Sequence, residues 1–138
     1  KCLFVKNYNP NNINFNNPNN IAILNTNCGN VIIELFPNIS PNAVARFKTL
    51  INTGSYKDAA FHRVIENKLI QSGDLEFGKK ENLDYGKVGT GKSGLGTIDS
   101  ELNDEFQYTK GSVGLARTFE LNTEDSQFFY NPSRWAII

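Results

Sequence analysis

The letters GKVGTGKS, residues 86–93, satisfy the pattern G-x-x-x-x-G-K-[ST] through Gly86, Gly91, Lys92 and Ser93. That pattern cradles nucleotide phosphates only when a buried strand leads into it and a helix leaves it, so that backbone N–H groups and the helix N-terminus face the anion. Neither context is legible. KKENLDY upstream is too charged for a core strand, and GLGTIDSEL downstream carries two glycines and β-branched residues that oppose a helix. Nucleotide binding is not expected, and Lys92 is expected in an exposed loop. His62 is the sole histidine, which excludes His-rich zinc sites and the HExxH proteases; it reads as a hydrogen-bonded structural residue. Cys2 and Cys28 make neither a CxxC pair nor a zinc set, and a thiol pair and a single disulfide are both compatible with them. A Cys28–His62 nucleophile pair is disfavoured, because Cys28 falls in a hairpin turn without an oxyanion-hole signature.

The elements that could position any remaining chemistry are mostly strands. Residues 7–20 (NYNPNNINFNNPNN) are dominated by Asn with two prolines, too polar for core, so residues 1–20 read as an Asn-rich irregular arm and 21–138 as the domain proper. IAILNT (21–26) and VIIELFP (31–37) around a Gly-containing turn predict a hairpin. Ser40 before Pro41 fits an N-cap followed by proline at the first helical position. Val44, Phe47, Leu50 and Ile51 then make an apolar stripe, with Gly54 where a left-handed C′ residue is wanted. FHRVI (61–65), a polar ENK turn and LIQSGD (69–74) predict a second strand pair. Residues 75–105 are glycine-rich and charged without a period, which predicts a long surface loop. GSVGLAR (111–117) and SQFFY (126–130) are the last strand candidates. One ring of Phe128 and Phe129 should be core and the other not, since strand neighbours face opposite sides.

With 138 residues, 39% of them hydrophobic, the chain has the apolar mass for one domain core and not for two large ones. Fourteen basic and fourteen acidic side chains cancel, so no long-range field gathers phosphates or anionic lipid, and nucleic acid is not an expected partner. No apolar run approaches the ~18 residues that span a bilayer. Lacking an initiator Met and a leader, the sequence is expected to have had something before Lys1, and the apolar end at WAII is expected to be a cut through a domain.

Three segments in order, FHRVIENKLIQSGD, GTGKSGLG and GLART with NTEDSQFF, resemble the cyclophilin-type peptidyl-prolyl isomerases. The resemblance extends over VIIELFPNISPNAVARFKTLINTGSY and thus from about residue 21 to 129. It implies a mainly β fold, a closed antiparallel barrel with a capping helix, of which the C-terminal strands and second helix are missing from this chain; the open edges are expected to be covered by a continuation or a partner. It implies isomerisation of X-Pro bonds in peptides and folding proteins, without metal or cofactor. Arg63 matches the catalytic arginine and Gln71 the glutamine that orients the substrate backbone. Leu69, Ala116 and Gln127 fall in the groove, Phe129 on the proline pocket, and Trp135 matches the family's tryptophan across a short gap. Without these neighbours Arg63 would read as a strand arginine in a surface salt bridge. The family carries Phe-Met where this chain has Lys68 and Leu69, and its pocket leucine falls on Ala136, so reduced activity is expected; the alternative is a catalytically degenerate subunit with a binding role in an assembly reached through the arm or the open edge. The 79–94 insertion and GLART resemble bacterial or organelle-derived members, which points to a mitochondrial or periplasmic-type compartment.

Overall fold

The computed structural model describes residues 7–131, and Trp135 and Ala136 lie outside them. In the arm, the two NPNN repeats each fold into one turn of 3-10 helix, Pro10–Asn12 and Pro18–Asn20, because the preceding Asn9 and Asn17 side chains accept the N–H of the residue two ahead. The arm also docks. Tyr8 N–H donates to Asn30 Oδ1 at 2.6 Å while Asn30 Nδ2 donates back to the Tyr8 carbonyl at 2.8 Å.

Strands β1 (Ile21–Thr26) and β2 (Gly29–Glu34) form the expected hairpin, paired from Ile21↔Glu34 to Thr26↔Gly29. Thr26 Oγ1 closes the turn by accepting the Cys28 N–H and donating to the Gly29 carbonyl. Cys28 is disulfide-bonded, so it offers no thiolate to His62. Helix α1 (Pro41–Asn52) begins at the expected proline, but the Ser40 side chain does not cap it. Glu101, far along the chain, does so instead: its two carboxylate oxygens accept the N–H groups of Asn42 and Ala43 at 2.8 and 2.9 Å, a charged cap where the helix dipole is positive. At the other end Gly54, at φ +69°, donates to Ile51 O and Ser55 to Leu50 O, a Schellman motif that needs the left-handed residue. Val44, Phe47 and Leu50 are buried, whereas Ile51 is 40% exposed, one residue and about 100° round the helix from Leu50.

Strands β3 (Arg63–Ile65), β4 (Leu69–Ser72), β5 (Val113–Leu115) and β6 (Phe128–Tyr130) make a second antiparallel sheet in the order β3-β4-β6-β5. Among the described residues no ladder joins it to β1–β2; the two sheets and α1 meet through one core of Ala22, Ile33, Leu35, Val44, Phe47, Val113 and Phe128. Its centre is an aromatic cluster. The Phe47, Tyr56 and Phe128 rings stand 5.3–5.4 Å apart, two of the three contacts edge-on. Tyr56 donates its hydroxyl to the Ser126 carbonyl, and burial pushes that phenol well above its ordinary range. Residues 73–112 contain no named helix or strand, so no helix follows Ser93 and the phosphate-loop spelling lacks the helix N-terminus it would need.

Candidate active site

Directly opposed residues of an antiparallel pair point to the same face, and the face alternates along each strand. The registers Arg63↔Gln71, Gln71↔Phe129 and Phe129↔Gly114 therefore place four positions in one row across all four strands, on one face. Leu69 lies two residues from Gln71, and Gln127 and Ala116 stand two residues from Phe129 and Gly114, with the Ala116 N–H donating to the Gln127 carbonyl at 2.8 Å. Six sequence-designated residues, Arg63, Leu69, Gln71, Ala116, Gln127 and Phe129, thus share one face. The opposite face carries Val113, Leu115, Phe128 and Tyr130 toward the core, with Ile70 and the exposed Val64 at its β3–β4 end. Phe128 is the core ring and Phe129 the half-buried one, as the alternation requires. Lys68 is exposed in the tight β3–β4 turn, where Asn67 takes φ +58° and Lys68 N–H closes onto the Ile65 carbonyl.

The polar side chains of the face form a chain of hydrogen bonds. Arg63 Nη1 donates to Gln71 Oε1 at 3.4 Å, Gln71 Nε2 to Gln127 Oε1 at 2.9 Å, and Gln127 Nε2 to the carbonyls of Gly89 and Gly91 at 3.0 and 3.1 Å. The Arg63 guanidinium is thereby tethered to the row, with Gln71 standing between it and Phe129. A second aromatic flanks it: the Tyr108 ring lies 5.1 Å from that of Phe129 and covers Gly114 so closely that a Cβ there would come within 2.5–2.8 Å of the tyrosine ring and hydroxyl. Tyr108 escaped the sequence reading because its loop has no period to mark it. Gly114 carried a signal, an isolated glycine in a strand pattern, which marks a close approach.

The glycine-rich segment that ends this chain of bonds is fastened from beneath. The wholly buried Asp74 accepts the N–H groups of Gly89 and Gly91 on Oδ2 and of Glu76 and Phe77 on Oδ1. Burial pushes its carboxyl up, but those four backbone donors outweigh it and hold the group below its ordinary 3.8. Further along, Asp125 accepts both the N–H and the hydroxyl of Ser93 at 2.6 Å and pairs with Arg46 of α1, which also donates to the Gly96 carbonyl. Lys92 is exposed, and its ammonium donates to the Thr123 carbonyl. A small hollow of about 80 Å³ beside Gln71, Ala116 and Gln127 is rimmed by Lys92, Arg117 and Thr123. The larger cavity, about 540 Å³, lies between α1, Phe106 and Phe128, is lined also by Tyr108 and Gly114, and does not include Arg63, Gln71 or Gln127.

His62 departs from expectation. Both ring nitrogens are buried without a hydrogen-bond partner among the described residues, because the ring stands edge-on behind Gly89, whose Cβ position lies 3.6–3.7 Å from Cδ2 and Nε2. It is a packing residue at the back of the glycine-rich loop.

The family described as cyclophilin type peptidyl-prolyl cis-trans isomerase/CLD matches residues 21–134. A probable peptidyl-prolyl cis-trans isomerase of Brucella suis is 40% identical over 113 residues, 81% of this chain and 57% of that protein. Peptidyl-prolyl cis-trans isomerase B of Escherichia coli is 32% identical over 111 residues, 80% of this chain and 62% of that one. Among solved structures, a Cryptosporidium parvum cyclophilin-type isomerase crystallised in the presence of the dipeptide Ala-Pro has a TM-score of 0.68 at 28% identity, covering 84% of this chain and 72% of that one. A cyclophilin of Hirschia baltica has a TM-score of 0.66 at 26% identity over 86% and 60%. The chain spans a little over half the length of its bacterial relatives. Sequence match and strand arrangement together assign it to the cyclophilin-type peptidyl-prolyl cis-trans isomerase family.

Proposed function

We propose that the protein catalyses cis–trans isomerisation of X-Pro bonds in peptides and unfolded or partly folded proteins. The observation that carries this reading is the cross-strand row itself, in which a guanidinium hydrogen-bonded to a carboxamide shares one face with a half-buried aromatic ring on the far side of that carboxamide. Amide resonance gives the X-Pro bond a barrier of about 18–20 kcal/mol, and twisting the bond localises a lone pair on a pyramidal prolyl nitrogen. An N–H of Arg63 aimed at that nitrogen stabilises the twisted state and offers the planar ground state little, which is the differential binding that accelerates a reaction. The remaining residues have matching tasks. Phe129, Leu69 and Tyr108 provide the apolar seat for the ring, Gln71 holds both the guanidinium and the substrate backbone, and Ala116 and Gln127 flank the peptide. No proton is transferred and no bond is made or broken, so no nucleophile, metal or base is asked of the site.

Lys68 sets the strength of this activity. Where the family offers an aromatic floor, this chain has Lys68, exposed in the β3–β4 turn, so the floor is replaced by a solvated cation. Turnover below that of a typical member follows. Exchange spectroscopy on an X-Pro peptide with catalytic amounts of the full-length protein tests the proposal: faster cis–trans exchange than in the peptide alone supports it, and an unchanged exchange rate at saturating peptide refutes it.

A further inference from the structure

We propose that Asp74, a residue that no substrate can touch, is the positioning residue that sets the direction of the Arg63 guanidinium through the glycine-rich loop, Gln127 and Gln71. The proposal rests on the reading of Arg63 given above.

The argument is one of polarity. Gly89 O and Gly91 O can only accept, so the Gln127 carboxamide must turn its NH2 group to them, one hydrogen to each. Its Oε1 is then forced toward Gln71, which must answer with Nε2 and is left presenting Oε1 to Arg63. Arginine carries donors only, so this last orientation is the one that holds it. A flip of Gln127 would set NH2 against NH2 at Gln71, and a flip of Gln71 would set NH2 against the guanidinium. The direction of the whole chain is therefore decided at its far end, by two backbone carbonyls. Those carbonyls are where they are because the N–H groups of the same two glycines bind Asp74 Oδ2 at 2.7 and 2.9 Å. The loop is gripped by a carboxylate through its donors on one side and read by Gln127 through its acceptors on the other. The grip is tight enough that a Cβ on Gly91 would fall 2.7 Å from Asp74 Cγ and 2.8 Å from Glu76 Cβ.

A double-mutant cycle on the full-length protein tests this. Asp74→Asn puts an NH2 group against one of the two pairs of N–H donors and should loosen the loop; the expected result is about a 10-fold fall in kcat with KM changed less than 2-fold. Gln127→Leu cuts the path between loop and Gln71. In that background Asp74→Asn should lower kcat by less than 2-fold further, whereas a residue that merely supports folding would give losses that multiply. Multiplying losses, or an Asp74→Asn effect carried by KM alone, overturn the proposal. Gly91→Ala, which displaces the carboxylate from the other side, should show the same loss and the same dependence on Gln127. Should neither variant fold, the unsubstituted protein still decides: both Gln127 Nε2 protons must exchange slowly with solvent, and fast exchange of either one overturns the proposal. Arg63→Ala separates the two ideas, since unchanged turnover there defeats the assignment of Arg63 itself, while lost turnover with multiplying Asp74 and Gln127 effects defeats only the role of Asp74.

Discussion

Replacing Gly114 by alanine is a small change with a specific expected consequence. Gly114 has no side chain in the row Arg63–Gln71–Phe129–Gly114, and the space is taken by Tyr108, whose Oη, Cε1 and Cζ would lie 2.5, 2.6 and 2.8 Å from the new Cβ. Non-bonded carbon atoms settle near 3.5–4.0 Å, so the ring must withdraw by about 1 Å, which its 64% exposure allows without disturbing the core. Folding stability should change little, because alanine also favours a strand more than glycine does. What is lost is the tilted Tyr108–Phe129 pair at 5.1 Å and with it one wall of the proposed proline seat. Such a pair is worth about 0.5–1.5 kcal/mol, equivalent to roughly 2- to 13-fold in affinity. The expected outcome is a KM about 5-fold higher with kcat nearly unchanged, read in a protease-coupled assay on an X-Pro peptide, and a melting temperature within a few degrees of the parent. Tyr108→Ala should raise KM similarly, and adding Gly114→Ala to it should do nothing more, since no ring remains to displace. Equal KM values for parent and Gly114→Ala, or full additivity in the double variant, would refute the reasoning.

Lys68→Phe should raise kcat/KM by about 10-fold, the equivalent of about 1.4 kcal/mol of apolar contact restored to the proline seat, measured in the same assay. Phe128→Ala removes a core ring that touches both Phe47 and Tyr56 and should lower unfolding free energy by about 3–5 kcal/mol in urea titration. Asp74 has a carboxyl held below its ordinary value, so the unfolded chain binds its proton first as pH falls. Its share of stability is full above the ordinary value of 3.8 and drains away as pH drops through the lower folded one. Asp74→Asn should therefore flatten the fall of the urea midpoint below about pH 4, and an unchanged acid slope would contradict this account of the carboxylate.

The strands of the row were legible because alternation and turn letters are local: FHRVI, ENK and LIQSGD specify a hairpin wherever they occur, and the alternation Leu69, Gln71 and Gln127, Phe129 already sorts groove from core. The cyclophilin resemblance then named Arg63, Gln71 and Phe129 of the row, though not Gly114, before any register was known. What stayed hidden depends on contacts between distant segments. Glu101 capping α1 in place of Ser40, Arg46 reaching Asp125 across 79 positions, and Tyr108 folding over Gly114 leave no period or motif in the chain. His62 was assigned hydrogen bonds on the general rule that buried polar groups are satisfied, whereas among the described residues its ring nitrogens meet no protein partner and its ring packs behind Gly89. The phosphate-loop spelling was set aside for want of a strand before it and a helix after it, and its letters serve other ends: Gly91 allows close approach to Asp74, and the Ser93 hydroxyl donates to Asp125.

The central claim is that Arg63 stabilises the twisted X-Pro bond, and the kcat/KM of the full-length protein with and without Arg63→Ala tests it most directly. Removing a single preorganised donor from developing charge costs about 10²–10³ in rate, so the account predicts a fall of at least 100-fold, carried mainly by kcat, with the fold intact by circular dichroism. An Arg63→Ala protein that is folded and turns over an X-Pro peptide at the parental rate would contradict it.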